Sequence, residues 1–119
     1  MARTALTPVS PKGPYPGTVA ANALDFVFAA SDASNGNYFV GTGREMILVQ
    51  NADAGAQTFT LTSIADPYGR LGSITTYSLS AGEFAMFWLG ALVGWDQGGG
   101  QIYLDSSNAN IKFAIIRMP

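Results

Sequence analysis

The chain has neither cysteine nor histidine among its 119 residues. That absence removes disulfides, thiol nucleophiles, Cys/His zinc sites and every catalytic scheme that relies on a histidine base. It leaves the redox compartment open. Charge is also scarce: only 12% of residues are Asp, Glu, Lys or Arg, and six basic residues against eight acidic ones give a net charge of −2. So few basic residues do not form the clustered face that nucleic acid requires, so no nucleic-acid partner is expected. Long apolar runs are missing as well. The longest, Phe84 to Trp95, is interrupted by Gly90 and Gly94 and is too short to span a bilayer. With no continuous apolar segment near residue 1, the chain is expected to be soluble, without a membrane partner.

What is present divides the chain in two. Residues 1–23 hold Pro8, Pro11, Pro14 and Pro16, each lacking a backbone N–H and fixing φ near the polyproline value. They read as an extended N-terminal arm. Leu6, Val9 and Tyr15 gain from docking on a surface, and stiffness lowers the entropy lost when they do. The arm holds Arg3 and Lys12 and no acid, whereas residues 24–119 hold four basic residues and all eight acids. Arm and body therefore differ in sign, which suits the arm to an acidic neighbour, either another protein or the body of an adjacent copy.

Residues 24–119 read as one all-β domain, large enough to bury a core without staples. Leu24, Phe26 and Phe28 fall on one face of an alternating stretch, and Phe59 and Leu61 oppose Thr58, Thr60 and Thr62 in another. Met46 to Val49 is a continuous apolar run that suits a strand covered on both faces. Further strands are expected over 73–80, 83–89, 101–105 and 111–118, where β-branched and aromatic residues concentrate. Turn chemistry separates them at Ser34–Asn37, Asn51–Gly55, Asp66–Gly69, Ala81–Gly82, Gly98–Gly100 and Ser106–Asn108. The expectation is an antiparallel β-sandwich or jelly roll of seven to eight strands, with a closed barrel as the alternative.

Candidate chemistry is thin. The eight carboxylates (Asp25, Asp32, Glu45, Asp53, Asp66, Glu83, Asp96, Asp105) hold no calcium-loop spacing, and five lie in or beside turns, where Asp accepts local backbone bonds. A glycosidase-type pair needs two of them held across a cleft, which spacing alone does not supply. No catalytic residue, cofactor or metal is expected, and the chain reads as non-enzymatic. Tyr68 and Arg70, between glycines in 64–72, offer an aromatic and a planar donor fork to a partner; the bland reading is a solvated hairpin whose Arg pairs with its own Asp. Phe84, Phe87, Trp88, Trp95 and Tyr103 could make a sugar-stacking platform or simply fill the core; Phe84 and Trp88 share a parity that Phe87 does not. Trp95, beside glycine and a charged turn, is the aromatic expected to be exposed to a partner.

Taken together, the Pro-rich start, Met46-Ile47-Leu48-Val49-Gln50-Asn51-Ala52-Asp53-Ala54-Gly55, the threonine-alternating strand after it, Leu79-Ser80-Ala81-Gly82-Glu83 and the closing Ile111-Lys112-Phe113-Ala114-Ile115-Ile116-Arg117 span most of the chain. In that order they resemble the small β-sandwich capsid decoration, or cement, proteins of tailed bacteriophages. The resemblance implies a virion structural protein on the capsid surface, present in host cytoplasm during assembly, with the major capsid protein and its own copies, as a homotrimer, for partners. It further implies that the arm bridges capsid subunits, with Leu6, Val9 and Tyr15 as anchors and Arg3 and Lys12 pairing with capsid acids. Two other readings use the same residues: a tail, neck or fibre-associated virion module, and a carbohydrate-binding sandwich.

Overall fold

Alternation decides the layers. In Glu45–Asn51 the odd-numbered residues Glu45, Ile47, Val49 and Asn51 are buried and the residues between them are half-buried, so one face turns to a core and the other does not. The computed structural model describes residues 2–14 and 17–119, and among them are nine strands and no helix. They are β1 (Thr4–Ala5), β2 (Ala29–Ala30), β3 (Asn37–Val40), β4 (Glu45–Asn51), β5 (Gln57–Leu61), β6 (Ile74–Leu79), β7 (Phe84–Trp88), β8 (Gln101–Ser106) and β9 (Ile111–Arg117). One sheet runs β1-β3-β8-β5-β6 and the other β2-β9-β4-β7. Every pairing is antiparallel except β1 on β3.

The two sheets share one core. Phe39, Phe59, Leu61, Leu79, Ile102 and Leu104 come from the five-stranded sheet, and Ile47, Val49, Ile111, Phe113 and Ile115 from the four-stranded one. Register places Ile47 opposite Ile115 and Val49 opposite Phe113, so buried cross-strand pairs join β4 and β9 within that core. Polar groups inside it are used. Buried Asn51 donates from Nδ2 to the carbonyls of Gly55 (3.0 Å) and Leu79 (2.9 Å) and accepts from the Asp53 N–H (3.0 Å). It thereby fixes the β4–β5 turn to the end of β6. Every buried side-chain nitrogen and oxygen among the described residues has a partner.

The expected all-β, two-sheet body is present, with three differences in its elements. Leu24 to Phe28 is not a strand: the chain turns over 21–24 and pairs only at Ala29–Ala30. Asn37–Val40, which overlaps the expected turn at Asn37, is a strand paired with β8 and β1, and its buried Asn37 is used there, donating to the distant Thr4 carbonyl (3.2 Å) and accepting from the nearby Asp32 N–H (2.8 Å). The outer face of β4 is only partly covered, so the Met46 to Val49 run is buried on one side rather than two.

Candidate interaction surface

The two sheets present different outer faces. On the five-stranded sheet, Tyr38, Tyr103, Asp105, Thr58 and Thr60 alternate with core residues and point away from the core. On the four-stranded sheet the outward set is Met46, Leu48 and Gln50 on β4, Lys112, Ala114 and Ile116 on β9, and Phe84, Met86 and Trp88 on β7. The last three are 62%, 74% and 66% exposed. The segment 24–28 crosses this face, bringing Phe28 to 5.9 Å from Phe84 and Phe26 to 5.7 Å from Phe28, ring centre to ring centre. Between them lies an apolar groove of about 390 Å³ lined by Phe26, Phe28, Leu48, Phe84, Ala85 and Met86. One face of the protein is polar and the other is apolar.

The start of the chain staples the two sheets along one side. Thr4 and Leu6 donate to the carbonyls of Gly36 (3.0 Å) and Tyr38 (2.7 Å), extending the five-stranded sheet. Three residues after Leu6, Val9 crosses to the other sheet, donating to the Ile115 carbonyl and accepting from the Arg117 N–H, each at 2.8 Å. Leu6 packs against the core between those two attachments. Pro8 and Pro11 flank Val9 and hold the chain extended.

This docking places several of the expected contact residues. Arg3 does not project to a neighbour: its guanidinium forms a two-pronged pair with Asp105 (3.0 and 3.2 Å), donates to the Asn37 and Leu104 carbonyls, and lies 4.0 Å above the Tyr103 ring. Leu6 is spent on the core, Val9 is 40% exposed and Lys12 is exposed. Tyr15 lies outside the described residues. Tyr68 is 82% exposed at its hairpin tip, while Arg70 donates to Asp66 (2.7 Å), the pairing of the bland reading. Trp95 is not the exposed tryptophan. It packs edge-on against Phe87 at 5.3 Å, beside the core, because Phe87 faces inward opposite Ile47 and needs a cover at the sheet end. The exposed one is Trp88, whose place opposite Met46 turns it outward.

Most carboxylates are committed locally. Asp32 is held below its usual range by the Thr4 hydroxyl and the Asn35 N–H, Asp53 by Asn110, Gln57 and the Gly55 N–H, and Asp66 by the backbone N–H of Arg70 and its side chain. Asp96 accepts from the N–H groups of Gly98 and Gly100, both at 2.8 Å, and Glu83 from that of Ser80 at 2.9 Å. Glu45 differs in kind, having no solvent-accessible surface. Burial pushes its carboxyl up, but Arg117 Nε (2.6 Å), the Thr42 N–H and hydroxyl, and the Gly43 N–H together outweigh that and hold it down at about 2, against an ordinary 4.5. It is a structural clamp: it ties the 41–44 turn to the end of β9. The sequence hints at it only through a lone acid at the start of an apolar strand; Arg117 is 72 positions away.

Comparison with protein-family models, with curated protein sequences and with solved structures returned no match to this chain.

Proposed function

We propose that the protein is a non-enzymatic virion structural protein, a capsid decoration or cement protein that binds the outer shell and bridges its subunits. The observation that carries this reading is the strand order. With β1 set aside, β2, β4, β7 and β9 form one sheet and β3, β5, β6 and β8 the other. Successive strands cross between sheets everywhere but at β5–β6, an order that supports reading the sandwich as the interleaved double Greek key of a jelly roll. Jelly rolls build viral capsid and lectin domains. The resemblance of the Pro-rich start and of the 46–55, 79–83 and 111–117 segments to phage cement proteins points the same way. Such a protein acts by mass action, each contact to the assembled shell stabilising it over free subunits.

Because residues 2–9 are engaged in the staple, the bridging element of this proposal is residues 10–23, which carry Lys12. Co-sedimentation with purified shells that lack the protein tests this. Saturable binding is expected, and replacing residues 10–23 by a short Gly-Ser linker, with 2–9 kept, should abolish it while leaving the unfolding transition in place. Undiminished binding by that variant would refute the bridging role, and absence of binding by the intact chain would refute the capsid reading. Trp88, exposed on a sheet face, favours a carbohydrate-binding alternative, which a glycan array with the intact chain and Trp88→Ala distinguishes.

A further inference from the structure

We infer that β7 is a self-pairing edge, through which two copies of this chain join their four-stranded sheets across a two-fold axis. The inference goes beyond shell binding and stands without it.

Four strands end the two sheets: β1 and β6 in one, β2 and β7 in the other. An open edge is a template for another chain, and proteins normally blunt it. β1 and β2 are two residues long. β6 is interrupted, with Thr76 at φ +47° and a shift of register against β5 between Phe59 and Leu61. β7 alone carries no such device. Its five residues, Phe84-Ala85-Met86-Phe87-Trp88, pair with β4 in unbroken register and contain no charge and no proline.

Its free edge is also self-complementary. Glu83 offers its carbonyl to Asn51 and Leu89 donates to the Glu45 carbonyl, each at 3.0 Å, so the odd-numbered residues face β4. By antiparallel alternation the main-chain N–H and C=O groups of Phe84, Met86 and Trp88 point away from it. Centring a two-fold on Met86 sets Met86 against its own copy and Phe84 against Trp88 on either side, each pair exchanging two hydrogen bonds. Those same residues put their side chains on the apolar outer face, so the backbone pairing and the apolar contacts coincide. Ala85 meets Phe87 on the core side. Glu83 falls opposite Leu89, so no like charges meet.

The area fits a second copy. Taking whole side chains of about 200 Å², the exposed fractions of Phe84, Met86 and Trp88 amount to roughly 400 Å² of apolar surface, and Phe26, which lines the groove with Phe84 and Met86, brings the patch to roughly 500 Å². An apolar patch of that size marks an interaction site, and the main chain of the paired strands adds to it toward the roughly 800 Å² that a standard interface takes from each partner. An edge paired about a two-fold closes at two subunits, unlike the three-fold arrangement the family resemblance implies.

Sedimentation equilibrium of the intact chain, with amide hydrogen exchange, tests the inference. A dimer is expected at tens of micromolar, with the amides of Phe84, Met86 and Trp88 slowed relative to free exchange and increasingly so as concentration rises. Met86→Lys, at an exposed position, sets two ammonium groups face to face and should weaken the dimer at least about tenfold while its unfolding midpoint stays near that of the parent. Thr58→Lys, on the opposite sheet, should leave the dimer intact. A monomer at hundreds of micromolar, a trimer, a dimer undisturbed by Met86→Lys, or a dimer with freely exchanging β7 amides would each overturn it. So would β7 amides that become protected only when shells are added, which would assign the edge to the shell.

Discussion

Replacing Glu45 by glutamine exchanges one carboxylate oxygen for an NH₂ group at a site where every neighbour is a donor. The Thr42 and Gly43 N–H groups, the Thr42 hydroxyl and Arg117 Nε all converge on Glu45 within 3.1 Å. Glutamine can satisfy one side of that ring and must aim a donor at the other. Removing one partner of a fully buried pair costs about 3–5 kcal/mol. Arg117 is a third exposed and keeps its bond to the Val40 carbonyl (2.6 Å), so about 2–3 kcal/mol is expected at pH 7.

The pH dependence carries the sharper test. The Glu45 carboxyl falls from 4.5 to about 2 on folding, so its contribution is complete above pH 4.5 and is lost as pH falls through about 2. A shift of that size corresponds to at most about 3 kcal/mol, and solvent screening around Arg117 lowers this to about 1–2 kcal/mol. Urea unfolding followed by tryptophan fluorescence, at steps from pH 7 to pH 2, gives the difference between parent and Glu45→Gln. Asp32, Asp53 and Asp66, whose pKa values are also lowered, are common to both chains and cancel in that difference. The gap should narrow by about 1–2 kcal/mol between pH 4.5 and 2. A gap that stays constant over this range, or one below about 0.5 kcal/mol at pH 7, would refute the clamp.

Three further outcomes are expected. Gly36 sits at φ +83° where an added Cβ would collide with the Arg3 guanidinium and lie 2.5 Å from Asp105 Oδ1, so Gly36→Ala should release the start of the chain. Hydrogen exchange at Thr4 and Leu6, whose amides are otherwise bonded, should accelerate, while the β4 and β9 amides stay protected. Asn51→Ala leaves the buried bond to the Leu79 carbonyl and the part-buried ones to the Gly55 carbonyl and the Asp53 N–H unmade, and should cost about 1–3 kcal/mol in chemical denaturation. Asn51→Asp should not rescue it, since a carboxylate would face the Gly55 and Leu79 carbonyls. Trp88→Phe should leave the blue-shifted, poorly quenched emission of Trp95, and Trp95→Phe a red-shifted, iodide-accessible one wherever the protein is monomeric.

Strands whose two faces differ in polarity, or whose ends carry turn residues, were legible in the sequence. β5, β6, β8 and β9 fall within a residue or two of the expected ranges because Gly, Asn, Asp and Ser bracket them. β7 was legible as a strand but not in its orientation: Phe84, Met86 and Trp88 are as apolar as Ala85 and Phe87, and only the pairing with Ile47 and Val49 decides which set faces inward. The alternation of Leu24, Phe26 and Phe28 is real, yet it follows from lying across a sheet face rather than from joining its edge. β3 was hidden because an asparagine in its first position reads as a turn until Thr4 and Asp32 are brought to it. That Arg3 would close on Asp105 was not legible, since the two are 102 positions apart.

The position of β9 sets an order of events during synthesis. It lies between β2 and β4, holds Val9 at its other end and supplies Arg117 to the 41–44 turn. Until it leaves the ribosome, β2 has no partner strand and Ile47 and Val49 lack half their cover. The ninth strand therefore acts as the keystone of the nascent chain. The pairings of β9 with β2 and β4 wait until residues 111–117 have been made, and the entropy of those long-range pairings is then lost together.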